Sequence, residues 1–270
     1  MPRLLTLLTC AALVVACAGP VGPDASERLT ALLPADAILL GEQHDAPDHQ
    51  RVHRDVVQAL AARGQLVALA LEMAEQGHDT RGLPSDASEA QVRNALQWNE
   101  AAWPWHAYGP AVMAAVRAGV PVLGANLPRA QMRARMADAQ LDTLLPGPAL
   151  KAQQQAIRLG HCGMLPESQI TPMTRVQIAR DLVMAQTLRA AAQPGRTVLL
   201  LAGRGHVDRS LGVPRHLPRE FQIKSIGIGE NKASHASNSV ASFDLIWPAA
   251  PGPDIDYCAQ FPTPRPQPVP

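Results

Sequence analysis

The sequence predicts an α/β fold, with a central, mostly parallel sheet, flanking helices and an added helical region. Three observations lead there. Apolar runs of strand length at residues 36–41, 66–73, 120–125 and 197–202 are separated by segments with helical spacing. The runs Leu66–Met73 and Thr197–Ala202 are apolar throughout, as expected of central parallel strands covered on both faces. The runs also stop at residues that carry chemistry: Gly41-Glu42-Gln43-His44, Glu72, Asn126 and Gly203-Arg204-Gly205-His206. Open α/β sheets place their chemistry at the C-terminal ends of their strands.

In chain order, Leu29–Leu33 reads as a short helix or turn ended by Pro34, and Asp36–Gly41 as the first strand. A helix follows from Pro47, with His49, Val52, Val56, Val57 and Leu60 on one stripe and Gly64 as its C-cap. Strand, helix and strand with a crossover of this length imply a βαβ unit, which predicts Glu72 beside Glu42 and His44 at one sheet edge. Residues 77–90 read as a loop, and Ser88 caps a helix running to Gln97. Trp98, Trp103, Trp105 and Tyr108 then crowd into eleven positions of a chain with nine aromatic residues. That cluster is either a surface for a planar hydrophobic ligand or a local mini-core under a helical hairpin.

A helix over Ala111–Ala118 capped by Gly119, a strand over Val120–Ala125 and a basic helix over Pro128–Ala139 come next. Leu150–Leu159 is a helix, followed by the unusual loop Gly160–Pro166. Met173–Ala192 is the longest helix, ended by Pro194-Gly195. Phe221–Ile228 and Ser242–Trp247 are two further strands, and the chain ends in a proline-rich tail, 251–270.

The net charge of +1 gives no reason to expect a nucleic-acid partner. Residues 1–16 read as a signal peptide: Arg3, then an apolar stretch from Leu4 to Ala16 too short to span a bilayer. Val14-Val15-Ala16-Cys17 resembles a bacterial lipobox, which implies cleavage before Cys17 and lipidation of that sulfur. The alternative is an ordinary signal peptide with a chance cysteine. Ala18 after the cysteine suggests the outer membrane, facing the periplasm, and residues 17–29 read as a tether to a domain over 30–250. The remaining cysteines, Cys162 and Cys258, are a candidate disulfide outside the cytosol, or else two buried thiols.

Glu42, His44, Glu72 and His206 form a two-histidine, two-carboxylate cluster if the strands run side by side. Such a set could hold a divalent metal, or run acid–base hydrolysis without one. Haem iron draws on a different inventory of His, Tyr, Cys or Met. Tyr108, His106 and His161 are candidate ligands, and Arg129 could pair with a propionate.

Seven blocks carry a resemblance over roughly residues 30–250: Leu-Leu-Gly-Glu42-Gln-His44-Asp, Leu-Glu72-Met, Trp103-Pro-Trp-His-Ala-Tyr108-Gly-Pro, Val-Leu-Gly-Ala-Asn126-Leu-Pro-Arg129, His161-Cys-Gly-Met-Leu-Pro, Arg180-Asp181-Leu-Val-Met184-Ala and Ala-Gly-Arg-Gly-His206-Val. In this order they resemble the ChaN-like haem-binding lipoproteins, a branch of the group that includes erythromycin esterases and Tiki metalloproteases. The resemblance implies an α/β fold, a membrane-anchored protein that binds haem for iron uptake, and a homodimer sharing ligands. Tyr108 matches best as the axial ligand, with His106 or His161 in support. The wider group implies that Glu42, His44, Glu72 and His206 sit together, where its enzymes place catalysis.

Overall fold

The computed structural model describes residues 25–229 and 242–259. The expected signal peptide, Cys17, most of the tether, the connection 230–241 and the end of the tail lie outside the described residues. The order of elements is α1 (Ala25–Thr30), β1 (Ala37–Glu42), α2 (Pro47–Ala62), β2 (Leu66–Glu75), α3 (Glu89–Ala95), α4 (Trp105–Arg117), β3 (Val122–Asn126), α5 (Met132–Ala137), α6 (Gly147–Gly160), α7 (Glu167–Ala191), β4 (Thr197–Gly203), α8 (Arg204–Val207), β5 (Ile223–Ile228) and β6 (Leu245–Trp247).

The six strands pair in parallel in the order β3-β2-β4-β1-β5-β6. This bears out the α/β expectation and corrects one detail. Strands β1 and β2 are not neighbours, because β4 lies between them, with Glu42 level with Gly203. Connections leave the β1/β4 pair in opposite directions, towards β2 on one side and β5 on the other. The crevice at that switch point is where open α/β sheets bind ligands.

The uniformly apolar strands split by alternation onto two faces. Ile38, Leu40, Leu199 and Leu201 pack under Val56 and Leu60 of α2 and Val112 and Val116 of α4. Leu39, Val198 and Leu200 pack against Met184 and Leu188 of α7. The added helical region closes over a smaller cluster that includes Leu127, Leu141, Val176 and Val183. Ser88 caps α3 through a reciprocal capping box with Gln91.

Two helices begin earlier than their prolines suggest. Helix α4 starts at Trp105 and runs through Pro110, and α7 starts at Glu167 and runs through Pro172. A proline this close to a helix start removes one backbone bond, and packing of Trp105, Tyr108 and Ile170 compensates. The basic helix expected over 128–139 is instead a 3-10 turn at Arg129–Gln131 followed by α5.

A register shift in β2 between Leu71 and Glu75 pushes the Glu75 carbonyl onto β3. A Cβ at Gly124 would lie 1.9 Å from that oxygen. Gly124→Ala should therefore destabilise the fold by about 2 kcal/mol or more, as overpacking against backbone does, read as a lowered urea midpoint with an unchanged m-value.

Candidate functional site

The C-terminal parts of β1 and β2, with the segments that follow β1 and β4, aim the first set of functional side chains. Glu42 is the last residue of β1 and is buried. Its Oε1 accepts from the Tyr108 hydroxyl at 2.7 Å and from His44 Nδ1–H at 2.8 Å. Glu72, also buried, accepts the Gly203 backbone N–H at 2.7 Å on Oε2. Its Oε1 lies 3.4 Å from Nε2 of His206 in the short helix α8. His44 Nε2 reaches to 4.0 Å from Glu72 Oε2. Gly203 is the space between the two halves, since a Cβ there would lie 2.9 Å from His44 Nε2. Glu42, His44, Glu72 and His206 are thus brought together across β4, which separates their strands.

Three members of the site were missed by sequence reasoning. Asp181, buried in α7, accepts from His206 Nδ1–H at 2.6 Å. Its signal was an acid inside the apolar stripe of a long helix. His49 and His53 lie on the buried stripe of α2. His53 Nδ1 stands 3.7 Å from Glu42 Oε2, and His49 Nδ1 accepts the Gln43 N–H at 2.9 Å. Their signal was histidine spacing of i, i+4 on a core face.

Burial and charge pull these groups in different directions. Burial opposes the His206 charge, but the Glu72 and Asp181 carboxylates outweigh it and push its pKa up to about 10. Burial raises Asp181 to about 6, with His206 offsetting part of the rise. For Glu72, burial acts upwards, yet His206, His44 and the Gly203 N–H bring it down to about 2. At neutral pH this is a charged imidazolium between two carboxylates. His44 is raised as well: burial lowers it, and Glu42 and Glu72 more than compensate. Burial lowers His49 and His53. The Tyr108 phenol is pushed up by burial and by the Glu42 carboxylate beside it.

The sequence also offers Glu42, His44, Glu72 and His206 as donors to a divalent metal. Among the described residues no group of three or more His, Cys, Asp or Glu is arranged to hold a metal ion. The physical reason is that these donors are paired with one another. His206 lies between Asp181 and Glu72, and Glu72 is engaged on both oxygens.

Two clefts flank Trp103. The larger, about 660 Å³, is lined by His44, Asp45, Trp103, His106, Tyr108 and Tyr257 among others. Its walls are mainly apolar and include aromatic rings: Trp103 meets Tyr108 edge to face at 5.9 Å and His44 at 4.9 Å. The aromatic cluster is divided: Trp105 and Tyr108 are buried in the main core, and Trp103 and Tyr108 line the cleft. His106 is exposed on this cleft and makes no hydrogen bond or ion pair among the described residues. Tyr108 contributes a ring to the cleft, but the residue is only 1% exposed. The second cleft, about 460 Å³, holds Arg129 with Arg180, Asn126 and Glu72. His161 lines neither cleft. It sits in the turn between α6 and α7, and its Nδ1–H donates to the Ile157 carbonyl. The Cys162–Cys258 disulfide is present.

A family model for haem-binding uptake proteins, Tiki superfamily, ChaN, matches residues 29–217. The chain belongs to this family. Haem is accordingly the cofactor that membership supports, and the match favours haem binding over hydrolysis for this chain. Among solved structures, ChaN of Campylobacter jejuni, described as binding haem cofacially, shares 24% identity. That alignment covers 83% of this chain and 91% of that one at a TM-score of 0.67, and shows a common fold. The type III effector HopBA1 aligns at 15% identity over 84% of this chain and 94% of its own, with a TM-score of 0.47. RRSP, an effector domain of a Vibrio vulnificus toxin, aligns at 11% identity over 83% and 39%, with a TM-score of 0.46. No curated protein matches the chain significantly.

The buried cluster of this ChaN-family chain sets a pH dependence. The folded pKa of His206 is raised from 6.5 to about 10, so its stabilisation is complete below pH 6.5 and is lost as pH rises towards 10. Asp181 titrates below this window. His44, raised from the same starting value, adds in the same direction. Urea midpoints should fall between pH 6.5 and 10 in the wild type, and the fall should be markedly smaller in His206→Asn.

Proposed function

We propose that this protein captures haem in the aromatic cleft beside Trp103 and releases it to a downstream acceptor in iron acquisition. The observation that carries this reading is the cleft itself. Its volume is in the range of cofactor sites, its walls are mainly apolar with three aromatic rings among them, and an imidazole with no other partner stands on its rim. His106 is the donor best placed for ferric iron, because its ring nitrogens are accessible and unengaged. Trp103 and Tyr108 supply a stacking surface. Arg129, exposed across Trp103 and without an ion pair among the described residues, suits a propionate. Bound haem would supply redox-active iron as cargo, and the residues named here bind and orient it.

The 2.7 Å bond from Tyr108 to Glu42 favours a second reading, in which Tyr108 is the axial ligand and passes its proton to Glu42. That ligand has to overcome the raised pKa and the burial of the phenol.

The cellular setting belongs to the same proposal. The lipobox ending at Cys17 supports a lipid anchor, and Ala18 supports the outer membrane facing the periplasm. The cofacial haem of the Campylobacter jejuni protein supports a homodimer in which two clefts meet.

Haemin titration followed at the Soret band tests the assignment. His106→Ala should weaken binding about tenfold or more, a loss of about 1.4 kcal/mol, while Tyr108→Phe binds as the wild type does. Loss confined to Tyr108→Phe transfers the ligand to the phenol. Sedimentation with and without haemin should show a haem-dependent dimer.

A further inference from the structure

The segment after β6 has no regular secondary structure, yet it runs along the rim of the larger cleft. The Ala250 N–H donates to Asp48 at 3.2 Å, at the start of α2. Gly252 packs so tightly on Gln43 that a Cβ would lie 2.6 Å from its Nε2. Tyr257 then lines the cleft, with its hydroxyl donating to Asp45. The next residue, Cys258, is bonded to Cys162 in the turn between α6 and α7, with the two Cα atoms 5.5 Å apart. Sequence reasoning assigned Tyr257 no role, and it lies outside residues 29–217, which match the family.

We propose that Tyr257 is a haem-binding residue of this protein, held over the cleft by the Cys162–Cys258 bond. The inference rests on the haem reading of the cleft. Tyr257 places a third aromatic ring beside Trp103 and Tyr108, and it is 48% exposed, so a ligand can reach it. A ring that stacks on a planar apolar ligand contributes affinity only if it is already in place. The strap that carries Tyr257 has no regular secondary structure, and a segment of this kind loses backbone entropy when ordered. The disulfide fixes its far end to the helical region, so the ordering is complete before haem arrives. Without the bond the strap can leave the rim and take Tyr257 with it.

The test uses the full chain and haemin, with affinity read from the Soret band and release read as transfer to apomyoglobin. Tyr257→Ala should weaken binding about tenfold and speed release correspondingly. The Cys162→Ser/Cys258→Ser variant should show a similar loss. Adding Tyr257→Ala to it should change affinity by less than about twofold, because both changes remove the same contact. Far-UV dichroism and the melting temperature check that each variant folds, and Tyr257→Phe keeps the ring as a conservative control. The proposal is overturned if folded Tyr257→Ala binds within about twofold of the wild type, or if the losses multiply in the combined variant. A wild type that gives no Soret change overturns the haem reading itself, a different result from wild-type binding that is indifferent to Tyr257.

Discussion

Strand β4 enters the sheet between β1 and β2 and ends on a glycine level with Glu42. The absence of a side chain at Gly203 lets His44, fixed by β1, and Glu72, fixed by β2, approach each other over it. Its N–H then becomes a ligand of Glu72. A larger residue would separate the two halves of the cluster. The geometry of the site thus follows from parallel pairing and one missing Cβ.

Around that gap, buried charge is balanced by close pairing. Taking carboxylates out of water is costly unless each is paired and hydrogen-bonded. Asp181, His206 and Glu72 meet this condition in a row, and Gly203 adds a backbone donor. Glu42 meets it on one oxygen, through Tyr108 and His44. The effect is rigidity. The ring of Tyr108 is clamped by its hydroxyl, and His44 is set against Trp103. The polar network therefore acts as the floor beneath the cleft, and its groups are paired with one another.

The cleft draws on three levels of structure. The end of β1 supplies His44 and Asp45, the first turn of α4 supplies His106 and Tyr108, and the strap after β6 supplies Tyr257. The first two are tied to the core by regular backbone bonding, whereas the strap is tied by a covalent bridge. The second cleft, across Trp103, holds Arg129 and Arg180. An apolar surface and a cationic one thus share one indole.

The sequence by itself determined the α/β class and the strand ends, because uniformly apolar runs and terminal glycines are local signals. It also located Glu42, His44, Glu72 and His206, since each lies near the end of such a run, and it named Cys162 and Cys258 as a candidate disulfide. Only the tertiary structure decided that β4 separates β1 from β2, because strand order depends on which crossover spans which strand, and no local pattern encodes that. It also decided that Asp181 and His53 face the site, since a polar residue on a helical core stripe reads the same whether it packs or pairs. The early starts of α4 and α7 were hidden by prolines that tertiary packing overrides. Tyr257 was out of reach for the same reason: its place on the cleft comes from a chain reversal and a disulfide spanning 96 residues, and so from contacts distant in sequence.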